Sequence, residues 1–187
     1  MYWQTAGPLN TDDTINSALE RAVELGIDHV VVASNRGDNI YKVLEKNLTL
    51  NVVGVTHHVG FAVPGEDEMP AAVREKLRSQ GVNLLTTTHL FAGVDRAVRL
   101  QFGGLYPAEI VASTLRTFGQ GIKVAVEIAV MALDAGLIPY GEDVVSIAGT
   151  VRGADAAIVI KPAHSNKIFE TEIREIICMP RSKKISK

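Results

Sequence analysis

An α/β domain built on a mostly parallel sheet is the fold class this sequence predicts, and three observations predict it. Short valine-rich runs that suit buried strands alternate with stretches whose apolar residues recur three or four apart, as in amphipathic helices. Polar, glycine-bearing loops follow several of the apolar runs, where open α/β sheets bind ligands. A length of 187 residues is enough for one such domain with a full core.

The elements follow in order. Thr14 to Gly26 reads as a helix with Ile15, Leu19, Ala22 and Val23 on one side; Thr11 stands at the N-cap position, Asp12 and Asp13 suit the first turn, and Gly26 ends it. Ile27 to Ala33 (IDHVVVA) is a buried strand. A short helix over Asn39 to Lys46 leads to the strand Leu50 to Thr56. A helix over Met69 to Gln80, with Pro70 near its start and Gly81 at its end, leads to the strand Val82 to Thr88. Strands separated by helices imply right-handed crossovers and helices on both faces. Two further helices are expected over Gly93 to Gln101 and Pro107 to Phe118. Ile122 to Ala135 is apolar almost all round, which makes it an internal helix or one at a homo-oligomer interface. Val144 to Ala148, Ala156 to Lys161 and Arg174 to Cys178 close the series as strands.

Composition removes whole function classes. A hydrophobic fraction of 47% excludes a disordered chain, and a net charge of −2 gives no reason to expect nucleic acid. The basic tail Arg181 to Lys187 reads as a solvated end. Cys178, the one cysteine, lies in an apolar run and suits packing. The longest hydrophobic region, Ile122 to Ile138, is interrupted by Lys123, Glu127 and Asp134, which argues against a membrane span. With no leader-like start, the expectation is a single cytoplasmic domain over 1–187 that meets neither membrane nor nucleic acid.

Four loops at strand ends carry the candidate chemistry. Ser34-Asn35-Arg36-Gly37-Asp38-Asn39 follows the first strand, and its hydroxyl, amide and guanidinium donors suit an anion, although a plain turn would also explain it. Its glycine spacing matches neither of the two common nucleotide-binding loops. At Thr56-His57-His58 adjacent side chains point to opposite faces, so one histidine is expected in the cavity and no metal centre is expected. Thr88 and His89 end the third strand with a hydroxyl and an imidazole. Gly149-Thr150-Val151-Arg152-Gly153-Ala154-Asp155 joins two apolar strands. If those strands flank the first one, Arg36 and Arg152 face a single anion, with Asp155 free for a ribose-like hydroxyl. Lys123 and Glu127, four apart on the apolar helix, form either a structural ion pair or a lysine aimed at the cavity. No catalytic constellation can be assembled, so the reading leaves open an enzyme or a sensor.

The run IDHVVVASNRGDN followed by LNVVGVT resembles the start of the pyruvate kinase C-terminal domain, and GEDVVSIAGTVRGADAAIVIKPA resembles its last hairpin. VTHHVGF, FGQGIKVAVEIAVMALDAGLIP, KPAHSN and EIICMPR resemble segments of largely archaeal stand-alone members of that superfamily. The resemblance implies a three-layer α/β/α fold of strand order 3-2-1-4-5, strand 5 antiparallel, with additional strands and helices. It also implies a phosphorylated ligand, with flavin mononucleotide (FMN) the leading cofactor and another nucleotide or phosphorylated metabolite the alternative. Ser34, Asn35, Gly37 and Asp38 would hold the phosphate; Thr56, His57, Gly149, Thr150, Arg152 and Gly153 would line the rest, and Val151, Ile40 or Phe61 would supply a flat apolar slot. Glutamate and serine are usual where this chain has Asn35 and Arg36, a departure that argues against a sugar bisphosphate.

Overall fold

The computed structural model describes residues 1–46 and 49–185, so the last two residues of the basic tail, Ser186 and Lys187, lie outside the described residues. Six α-helices occur among the described residues, besides short 3-10 turns: α1 (Thr11–Leu25), α2 (Asp38–Leu44), α3 (Ala71–Ser79), α4 (Val94–Phe102), α5 (Pro107–Leu115) and α6 (Gln120–Asp134). Seven strands form one sheet: β1 (Tyr2–Trp3), β2 (His29–Ala33), β3 (Asn51–Val55), β4 (Asn83–Leu85), β5 (Val144–Ala148), β6 (Ala156–Lys161) and β7 (Glu172–Pro180), ordered β1-β7-β6-β5-β2-β3-β4. β4, β3, β2 and β5 are parallel neighbours and β6 is antiparallel to β5, which is the expected 3-2-1-4-5 core. The additions are β7, antiparallel to β6, and β1, parallel to β7.

The two faces of the sheet are read off the alternation of its side chains. Val30, Val32, Val145, Ile147, Ala157 and Val159 pack with α1, α2 and α3 on one face. Val31, Val53, Val144, Ala148, Ile158 and Ile160 pack against α6 on the other. Because the parallel strands are covered on both sides, they read as continuous apolar runs rather than alternating ones. α6 is buried along nearly its whole length, and Ser146 of β5 donates its hydroxyl to the Ala125 carbonyl at 2.7 Å, tying helix to sheet.

Three differences from expectation have physical causes. Thr11 does not cap α1: the helix begins at Thr11 behind Asn10, and the Thr11 hydroxyl donates to Pro8 O at 2.6 Å while accepting the Ala154 N–H at 3.0 Å. β4 stops at Leu85 because Thr86 turns sideways, its hydroxyl meeting that of Thr56 at 2.7 Å and the Arg74 guanidinium at 3.0 Å. β1 is a two-residue strand, too short for any periodicity to reveal. Gly26 ends α1 as expected, with φ 65 in the left-handed region that a glycine adopts without strain. No helix among the described residues is long and apolar enough to cross a membrane.

Candidate functional site

The strand order reverses between β2 and β5, whose register pairs Val32 with Ile147, so the loops that leave Ala33 and Ala148 face each other. Between them opens a cavity of about 1150 Å³. Of the residues expected there, Ser34, Asn35, Arg36, Asp38, Asn39, Thr56, His57 and His89 line it from the β2, β3 and β4 side. Gly149, Val151, Arg152 and Gly153 line it from the β5–β6 loop. Lys123 and Glu127 of α6 also reach it, so the ion pair and the cavity lysine are the same feature.

Asn39 is the clasp between the two loops. Its side-chain amide donates to Ala33 O at 2.9 Å and to Gly153 O at 3.1 Å, so it is committed to structure rather than to a ligand. Glycine is required on the second loop. A Cβ on Gly149 would come within 2.5 Å of Gly153 O, and one on Gly153 within 2.2 Å of the Thr11 hydroxyl. Val151, at the tip, has φ 66, the one positive value outside glycine among the described residues, and its side chain is exposed beside the cavity. Such a conformation costs a β-branched residue roughly 1–2 kcal/mol, a strain that tends to sit where a loop meets a ligand.

Five expected residues lie elsewhere. Gly37 turns away from the cavity, and a Cβ there would strike Val73 at 2.9 Å beneath α3. Ile40 is fully buried in the core of the α1–α3 face and supplies no slot. Thr88 is exposed beside Gly93, and Thr150 sits behind the loop with its carbonyl accepting the Arg152 N–H at 2.8 Å. Asp155 is wholly buried and meets no ribose; its Oδ2 accepts the Gly7 N–H at 2.9 Å, anchoring the N-terminal segment under the loop.

Burial lifts the Asp155 carboxyl above its ordinary 3.8, against opposing interactions with Thr150 and Gly7. The native state therefore holds a proton that the unfolded chain releases, so this group's stabilising contribution is present below 3.8 and is lost as pH rises through the folded value. The stability difference between wild type and Asp155→Asn should accordingly change with pH from about 3.8 upward, in the variant's favour, when urea melts are compared. A difference independent of pH would contradict this account of the carboxyl.

The wall opposite the arginines is aromatic and basic. His57 Nδ1 donates to Glu68 Oε2 at 2.6 Å, and Asn35 Nδ2 donates to His57 Nε2 at 3.2 Å. The Asn35 carbonyl oxygen also accepts the His57 backbone N–H at 3.2 Å, so the Asn35 amide bonds both the ring and the backbone of His57. Phe61 stacks on His57 with ring centroids 3.7 Å apart, and His89 lies 5.3 Å from it. Burial lowers the pKa of His89; Glu127 opposes this, and His57 and Lys123 add to it. Burial likewise lowers that of Lys123, with Glu127 opposing. Glu127 accepts from both the Lys123 ammonium and the Phe91 N–H. No group of three or more metal-ligating side chains occurs among the described residues.

Sequence reading missed Glu68, Arg96 and Arg116, all of which line the cavity. Glu68 comes from the irregular segment after β3, where nothing in its spacing from His57 signals a partner. Arg96 and Arg116 come from the helices before α6; both are exposed, and nothing in their spacing separates a solvated surface from the rim of a cavity.

Comparison with known proteins bears on this architecture. A sequence model of the pyruvate kinase alpha/beta domain matches residues 12–160. The chain belongs to that family. Among solved structures, the domain is similar to a pyruvate kinase from Cryptosporidium parvum, at 12% identity and a TM-score of 0.42 over 80% of this chain. A second structure described as Cryptosporidium parvum pyruvate kinase in complex with ADP matches at 12% identity, a TM-score of 0.41 and the same 80% coverage. In both comparisons the domain spans 22% of the other chain.

Proposed function

We propose that this domain binds a phosphorylated ligand in the cavity at the carboxyl ends of β2 and β5, with FMN the first candidate. One observation carries the reading. Ser34 lines the cavity and its buried hydroxyl has no hydrogen-bond partner, while Arg36 and Arg152 on the two facing loops line the same cavity and have no carboxylate partner among the described residues. Buried polar atoms are ordinarily satisfied, so an orphaned hydroxyl in a cavity that two unpaired arginines also line suits an anion. The flat His57–Phe61 stack supports an isoalloxazine at the other end.

A second observation favours another phosphorylated compound. Arg96 and Arg116 also line the cavity without carboxylate partners among the described residues, so together with Arg36 and Arg152 they exceed the charge of a single phosphate dianion. A more highly charged nucleotide or metabolite would use them, in an enzyme or in a sensor.

Titration calorimetry with FMN and thermal shift with phosphorylated metabolites separate these readings. Arg36→Ala and Arg152→Ala should each weaken binding about tenfold or more, the loss expected for one charge-assisted hydrogen bond of about 1.5–3 kcal/mol. A colourless protein that takes up no FMN, while a phosphorylated metabolite raises its Tm, would leave only the second reading. Shifts unchanged in both arginine variants would remove the shared anion site.

A further inference from the structure

The His57–Glu68 pair has the form of an oriented base. With Asn35 donating to Nε2, the Nδ1 proton is assigned toward Glu68, so Nε2 carries the lone pair, and it is this pair that accepts from Asn35. The 2.6 Å contact to Glu68 fixes the ring, while the longer 3.2 Å contact to Asn35 is one that a substrate proton can replace. Asn35 also sits between Ser34 and Arg36, so the base stands beside the loop that would hold the phosphate. Two nitrogen donors share this part of the cavity: His89, 5.3 Å from His57, and the Lys123 ammonium, which lies 5.3 Å from the Phe91 ring centroid.

We propose that His57, positioned by Glu68, is a general base that removes a proton from the carbon beside the carbonyl of a small phosphorylated carbonyl compound, with His89 and Lys123 stabilising the oxygen. An imidazole can take a C–H proton only where a neighbouring carbonyl makes it acidic, and His89 and Lys123, which line the same cavity, are the nitrogen donors available to the negative oxygen. In the step, the proton goes to His57 Nε2, the C–H electron pair becomes the C=C bond of an enediolate, and the carbonyl π pair moves to oxygen. Return of the proton, or of a solvent deuteron taken up by the imidazolium, to the same carbon restores the carbonyl and regenerates the base, and no oxidant or reductant takes part. This inference rests on the phosphorylated-ligand reading and does not require a flavin.

The test uses dihydroxyacetone phosphate as probe, in D2O, with loss of its C–H signals followed by proton NMR. The wild-type domain is expected to exchange these protons faster than buffer, and His57→Gln is expected to slow exchange about a hundredfold. Glu68→Gln should lower the saturated rate about tenfold or more while the half-saturating concentration changes little, the split expected of a residue that acts only through the base. Diethyl pyrocarbonate, which acylates unprotonated imidazole, gives a readout that needs no substrate: His57 should be modified more slowly in Glu68→Gln than in the wild type. Calorimetric binding of the probe without exchange would overturn the base and leave the phosphorylated-ligand reading standing. Failure of the probe to bind would overturn this substrate class, and failure of FMN and phosphorylated metabolites to bind as well would remove the parent reading. Equal labelling of His57 with and without the Glu68 carboxylate would overturn the dyad.

Discussion

Lys123→Met is expected to destabilise the domain by about 3–5 kcal/mol in urea denaturation, the range for breaking a buried ion pair from one side. The two side chains are 7% and 5% exposed, so the partner left behind has little access to water. Methionine fills the volume of the lysine stem but offers Glu127 no donor. The Phe91 N–H at 2.9 Å then remains its one protein hydrogen bond among the described residues. Replacing both members by apolar residues, as in Lys123→Met with Glu127→Leu, should recover most of the loss, because neither charge then has to be kept from water. A single variant as stable as the wild type would show that water reaches Glu127, and the low exposure would then not describe the working molecule.

Gly149→Ala should have an effect of similar size by a different route. Its φ is not positive, so the position asks for glycine through space alone. An added Cβ would stand 2.5 Å from Gly153 O and 2.9 Å from Ala154 Cα, both backbone atoms that cannot swing aside. Overpacking of this kind costs about 1–3 kcal/mol, toward the upper end where backbone has to move. The displaced loop carries Arg152, so ligand binding should fall together with stability. Gly141→Ala is the control: its φ is 85 but nothing lies within 4 Å of the added atom, and a cost of about 1–2 kcal/mol with unchanged binding is expected. A Gly149→Ala variant as stable as the wild type, with unchanged binding, would show that the loop yields to the added atom at no cost.

The fold was legible because its strands are buried on both faces and therefore contiguous in sequence, as VVVA in β2 and VVSIA in β5. Loop positions followed from the strands, which is why Ser34, Arg36, Gly149 and Arg152 were found. Asp155 was misread because an acid in a glycine-rich loop looks the same from sequence whether it faces a ligand or a backbone N–H. Only the return of Gly7 beneath the loop decides between them, and that contact spans 148 residues. Glu68 was invisible for a related reason: the partner of His57 comes from a segment with no regular period, where sequence distance says nothing about direction.

The threads that hold the second loop have a temporal meaning as well. Gly7 to Asp155, Thr11 to Ala154 and Asn39 to Gly153 join points 148, 143 and 114 residues apart. Contacts of such separation are entropically expensive to close and tend to form after local structure. On the ribosome, the stretch from α1 to β4, with Arg36, can emerge and begin to pack while the half of the cavity that carries Arg152 is still unsynthesised. The proposed ligand site therefore requires the β5–β6 loop to have been made, and a nascent or clipped domain that keeps its early helices but lacks that loop would be expected to bind nothing there.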